Sequence, residues 1–238
     1  MNITRAHAET IVELLGHGLV KGIGVQERGQ MCVEAAVCYA LGVPHGDDPG
    51  CVSPALRQLK IRLNDADWSS TMARANGLKR LALAQLGSKN VLNDPAFIRR
   101  VVDVTIRRVV PISLRAAARV HPDYATALEA CAVQCEQEGT RESCDKARLV
   151  AASAAAAADA ADAAYAAYAA DASAAAAADA ATRAAAAADA AAAANGLSIV
   201  SDRVLADYAE WIVEILIDMD APGVQWLDLA PKASVVQS

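Results

Sequence analysis

Residues 53–111 read SPALRQLKIRLNDADWSSTMARANGLKRLALAQLGSKNVLNDPAFIRRVVDVTIRRVVP, and within them three helices mark their own ends. Ser53-Pro54 sets a capping hydroxyl ahead of a proline at the first helical position, where a missing N–H costs nothing. Asn64 to Ser70 breaks the pattern, and Ser69 or Ser70 caps a helix that runs to Gly87. Asp94-Pro95 repeats the opening for a helix through Val110, where Pro111 interrupts or kinks it.

Working outward, Thr4 caps a helix over 5–15 with the apolar stripe Ile11, Leu14 and Leu15, and Gly16 stops it. A second helix, Met31 to Leu41, lies between Gly29 and Gly42. The glycine-rich segment between these helices carries Leu19, Ile23 and Val25 and then a Glu27-Arg28-Gly29 turn, which predicts a small hairpin or an irregular loop. Residues 43–50 are turn chemistry. His121-Pro122 opens a helix that Gly139 ends. Towards the C-terminus, Ser201 is the expected cap of an amphipathic helix with Val204, Tyr208, Trp211 and Ile215 on one stripe, joined by Leu205, Ile212 and Leu216. The tail beyond Pro222, with Trp226 and Leu227, is expected to lie back on the surface.

Between these parts, positions 151–194 hold 33 Ala and five Asp, and no Gly or Pro occurs from Thr140 to Ala194. The unit AAAAAD recurs at 154–159, 174–179 and 184–189. An unbroken helix over 140–194 would extend roughly 80 Å, whereas a compact chain of this length is about 45 Å across. The element therefore projects from the globule, or it bends back or pairs with another helix. Burying Ala frees little area per residue, so its stability requires a long contact.

The composition excludes several classes. The 238 residues carry 4% aromatics and a single Phe, and no run has the Leu/Ile/Val/Phe character of a membrane span. Six cysteines without a Cys-x-x-Cys pair, behind an N-terminus that lacks the order of a secretion signal, point to reduced thiols in a cytoplasmic protein. The formal net charge is −6, but residues 1–120 carry 16 Lys/Arg against 10 Asp/Glu while residues 121–238 carry 6 against 18. The two halves are thus expected to attract each other, within one chain or head to tail between copies. Nucleic acid is disfavoured as a partner by the net charge and the lack of aromatic platforms.

Chemistry-bearing residues concentrate around Cys32, Glu34, Cys38, His45, Asp47, Asp48 and Cys51. Cys32 at a helix start, with His45 or His121 and Asp123 following, has the chain order of a cysteine hydrolase, although not its familiar spacing. Cys32, Cys38, His45 and Cys51 are zinc-type donors, but they lack the short chelating pairs of zinc sites. Neither Gly16-His17-Gly18 nor Gly22-Ile23-Gly24 fits a phosphate-loop fingerprint. On the helix from Pro95, Arg99, Arg100, Arg107 and Arg108 flank Asp103 at spacings of seven and eight, a face suited to phosphates or carboxylates. With Lys21 of the glycine segment they are the candidate ligand- or partner-binding residues. The competing expectation for these arginines is pairing with acidic helices of the C-terminal half.

The run from Gly16 through Gly29-Gln30-Met31-Cys32-Val33-Glu34-Ala35-Ala36 to Pro44-His45-Gly46-Asp47-Asp48-Pro49-Gly50-Cys51 resembles a recurring helical protein of bacteria, phages and prophages, over residues 10–90. The Ala tract with its Asp and Tyr is similar, in composition, to helical segments of proteins described as immunity proteins. Neither resemblance implies an activity, so no functional residue is carried over; the phage association implies a host-takeover or counter-defence role.

These readings predict an all-α protein: a helical bundle over 1–139 with a small Gly-rich loop or hairpin, an Ala-rich helical element over 140–196, and a C-terminal helix and tail over 197–238 packing on the bundle. The expected function is a non-enzymatic interaction or assembly protein, self-associating or binding a host or phage protein, with no cofactor or metal. The alternatives are a counter-defence protein that sequesters a phosphorylated nucleotide or inhibits a host protein, and a hydrolase centred on Cys32.

Overall fold

The computed structural model describes residues 2–153 and 198–232, and over them the chain is all-α. The elements are α1 (Arg5–Leu15), α2 (Val33–Ala40), α3 (Pro54–Asn64), α4 (Thr71–Ala84), α5 (Asp94–Val104), a π-helical turn (Thr105–Val109), α6 (Val110–Val120), α7 (Ala125–Glu138), α8 (Arg141–Ser153), α9 (Ser198–Asp218) and a closing 3₁₀ segment (Pro222–Leu229). The Ala tract, with the alternatives of projection or pairing, lies outside the described residues.

Side-chain caps set most helix starts. Thr4 Oγ1 and His7 Nδ1 form a reciprocal capping box, Ser53 Oγ accepts from Leu56 N at 3.3 Å, and Ser70 Oγ accepts from Ala73 N at 3.0 Å. Asn93, rather than Asp94, caps α5: its Oδ1 takes Ala96 N at 3.0 Å, and Asp94 and Pro95 begin the helix. Met31 bridges back to Gly24, the one β-type pairing among the described residues, so α2 starts only after Cys32, whose Sγ accepts from Ala35 N at 3.3 Å. Gly24 permits that return: its φ is +69°, and a Cβ there would stand 1.9 Å from Gln30 O. Ser201 does not cap α9, because the helix already runs from Ser198; Ser201 is buried inside it.

Pro111 does not end its helix. Its nitrogen has no hydrogen for the Arg107 carbonyl, and the turn before it widens so that Val110 N–H reaches Thr105 O. The path then continues as α6.

Helix α4 is central. Its Leu78, Leu81, Ala82, Leu83 and Ala84 are fully buried among α1, α2, α9 and the 3₁₀ segment. Helix α9 lies along it with Leu205, Tyr208, Ile212 and Leu216 inward. Tyr208 is fully buried, and its hydroxyl stands 3.4 Å from Thr105 Oγ1. A second layer of α6, α7 and α8 builds on the π-helical turn through α6 and α7, and apart from Leu128 the buried apolar residues of α7 and α8 are small: Cys131, Ala132, Cys135, Cys144, Ala147 and Ala151.

The opposite charges of the two halves meet within the chain. Arg5 pairs with Asp228 at 2.7 Å, Arg80 with Glu210 at 2.9 Å, Arg108 with Glu214 at 3.3 Å and Arg100 with Asp218 at 3.6 Å. Arg115 pairs with both Glu129 and Glu136.

Candidate functional site

The chemistry of the core sits where α2 meets α3. Leu56, Leu59 and Leu63 form the inward stripe of α3, and Lys60 occupies the same stripe. Its ammonium faces Glu34, in the first turn of α2, with Nζ–Oε1 at 3.1 Å and both side chains at 0% exposure. Gln85, just past α4, donates from Nε2 to Glu34 Oε2 at 3.3 Å. Burial raises the Glu34 pKa against the pull of Lys60, and burial lowers the Lys60 pKa against the pull of Glu34. Glu34 Oε1, Lys60 Nζ and Gln85 Oε1 each lack a directed hydrogen bond.

A small cleft of about 90 Å³ opens beside this pair, lined in part by Gly22, Ile23, Cys32, Glu34, Asn64 and Asp65. Side chains of the α3–α4 joint hold its wall. Asn64 Oδ1 accepts from Val33 N at 3.2 Å, its Nδ2 donates to Val20 O at 3.0 Å, and Asp65 Oδ1 accepts from Gly22 N at 2.8 Å. Arg74, buried, donates to the carbonyls of Asn64, Leu19 and Ala66 at 2.8, 3.0 and 3.4 Å.

The three cysteines of this region, Cys32, Cys38 and Cys51, are buried. Burial raises the Cys32 and Cys51 thiols and pushes Cys38 up to about 12, the opposite of the depressed pKa that marks a nucleophilic thiolate. His45 turns its Nε2 to Gly24 O at 3.2 Å, while His121 stands at the junction of α6 and the α7 layer. The donors proposed for zinc do not converge: among the described residues no group of three or more His, Cys, Asp or Glu side chains is placed to hold an ion.

The arginine candidates are dispersed. Arg107 binds Asp103 at 2.9 Å and caps the C-terminus of α7, donating to the carbonyls of Glu136, Gln137 and Glu138 at 2.9, 2.7 and 2.7 Å. It lies over Gly139, where a Cβ would stand 2.4 Å from Nε. Arg108 covers the Trp211 ring at 5.1 Å. Arg99 and Arg100 border an open depression with Asp103 and Asp218. Lys21 pairs with Asp67 at 2.8 Å, two residues from Ser69, which binds Asp202. Asp202 and Asp218 lie sixteen residues apart on α9, or about 24 Å, so Lys21 and the Arg99/Arg100 pair belong to opposite ends of that helix.

Lys60 and Gln85 were the members of the buried centre that sequence reasoning missed. A readable signal existed for Lys60: a lysine in register with Leu56, Leu59 and Leu63 on the core stripe. Gln85 gives a similar one, in register with Leu78 and Leu81 on the helix expected to run to Gly87. Comparison with known protein families, curated proteins and solved structures finds no match. Among the described residues, no helix is long and apolar enough to cross a membrane.

Proposed function

We propose that the chain is a non-enzymatic helical interaction protein that associates with a second copy through its α7–α8 layer and the Ala-rich sequence that follows it. The observation that carries this reading is how α8 packs. It seats on α7 through Cys144, Ala147 and Ala151, all at 0% exposure, and leaves Leu149 66% exposed on its other side. Contact through methyl-sized groups lets helix axes approach closely, and the sequence after Ser153 supplies the same chemistry over a further 41 positions to Ala194. The six unpaired, buried cysteines support a reducing, cytoplasmic setting.

The ion pairs between the basic and acidic halves are formed within one chain, so association through small apolar groups should survive salt. Light scattering on the full chain at low and high ionic strength tests this. The expected result is a mass of two or more chains in both conditions, shifted towards the monomer by Leu149→Lys. A monomer in both conditions, or dissociation by salt alone, would overturn it.

A further inference from the structure

One face of α4 carries donors that the fold leaves unused. Asn76, Lys79 and Arg80 follow one another at helical spacings of three and four, so their side chains are neighbours, and all three line a cleft of about 640 Å³ between α1, α4, α9 and the closing segment. Arg80 is anchored there: its Nε donates to Glu210 Oε2 at 2.9 Å and its Nη1 to Ala230 O at 2.6 Å. Its Nη2, with two further N–H groups, takes part in neither bond. Among the described residues, the side chains of Asn76 and Lys79 have no hydrogen-bond or ion-pair partner.

The acids of the same cleft already face cations. Glu210 holds Arg80 through Oε2 and stands 3.5 Å from Lys232 through Oε1, and Asp207 has Arg203 at 3.9 Å. What is left over is donor capacity, on a lining with three cations, Lys79, Arg80 and Lys232, against two carboxylates. That balance favours an anion. The remaining lining is mostly apolar, with Val12 of α1, Ala206 of α9 and Leu229 of the closing segment. A volume of about 640 Å³ lies within the range of roughly 300–1,000 Å³ for small-molecule sites, so a bare inorganic ion would leave most of the cleft and its apolar wall to water.

From the unused donors and the apolar wall, we infer that this cleft binds a small amphiphilic anion, a carboxylate or phosphate monoester on a short hydrocarbon body. The head accepts from Asn76 Nδ2, Lys79 Nζ and Arg80 Nη2, and the body covers Val12 and Leu229. Glu210 and the Ala230 carbonyl orient the guanidinium before the ligand arrives, which lowers the ordering cost of binding. No residue of α7 or α8 lines the cleft, so the site is distinct from the face proposed for self-association.

Calorimetric titration of the full chain with hexanoate and with hexyl phosphate tests the inference and separates the two heads, while hexanol removes the charge and hexylammonium reverses it. The expected result is saturable binding of at least one of the two anions and none of hexanol or hexylammonium. Lys79→Glu loses no ion pair among the described residues but reverses the charge at the head, and should weaken binding about tenfold or more. Asn76→Trp, at an exposed position, should fill the cleft and weaken it similarly. Circular dichroism confirms that each variant is folded. The inference is overturned if the folded parent shows no saturable heat with either anion, if hexanol or hexylammonium binds as tightly, or if both variants bind like the parent.

Discussion

The α2–α3 centre and the arginine seam that ties the π-helical turn and α6 to α7 and α9 use the same side-chain chemistry under opposite conditions. Glu34 and Lys60 meet at 3.1 Å with no exposure, where each charge has lost its water and the attraction must offset a cost of several kcal/mol per ion. Arg107, Arg108 and Arg115 meet their carboxylates with side chains about one-third to one-half exposed, where a single pair contributes about 0–1 kcal/mol. The difference teaches that the seam works by number and geometry, aligning α6, α7 and α9, while the buried pair works by mutual dependence: neither charge is tolerable without the other.

The largest effect tests that dependence. Lys60→Met alone strands the Glu34 charge and should cost about 3–5 kcal/mol, read from the urea midpoint. Combining it with Glu34→Leu should recover most of that loss, since an apolar pair of similar volume is often neutral or stabilising. A single variant no worse than the double would abolish the contrast between the two regions. A smaller effect is expected at the seam's best-connected member. Arg107→Ala removes three carbonyl contacts at the end of α7 and the Asp103 pair, and should cost about 1–2 kcal/mol after allowance for its exposure. A loss below a few tenths would reduce Arg107 to the level of an ordinary surface charge.

The smallest effect is a pH dependence. The Arg115 guanidinium, hydrogen-bonded to Glu136, holds that carboxyl below the usual range. A depressed carboxylate stabilises the fold fully above its unfolded-state pKa and loses that contribution as pH falls through the folded-state value. Glu136→Gln should therefore lower stability slightly at neutral pH and flatten the acid limb of the stability profile. Identical limbs in parent and variant would show that this contact contributes nothing measurable.

Local chemistry made most of the fold legible. Thr4, Ser53 and Ser70 cap where a short polar side chain precedes an amphipathic run, and Gly139, with φ at +60°, ends α7. Of the α9 stripe, Val204, Tyr208 and Ile215 are buried and Trp211 is half-buried; a period of 3.6 is unambiguous over five turns. What escaped depends on register and on three-dimensional closure. The arginine spacings of seven and eight place both pairs on one side only if the helix is regular, and the π-helical turn at 105–109 inserts a residue that rotates everything after it by about 100°. Arg107 meets α7, whereas Arg100 and Arg108 keep to one side and meet neighbouring acids of α9, Asp218 and Glu214. The buried centre escaped for another reason: Glu34, Lys60 and Gln85 come from three separate segments, and only tertiary packing brings them together.

The glycine-rich segment between α1 and α2 is held by backbone bonds to its own returning limb, Val20 N to Met31 O and Cys32 N to Ile23 O among them, and also by side chains. Arg74, Asn64 and Asp65 take hold of Leu19 O, Val20 O and Gly22 N, so an irregular stretch inherits the stability of the helical joint it lies on. Through these contacts its order is tied to that of the joint, so loosening the α3–α4 joint is expected to release the segment as well.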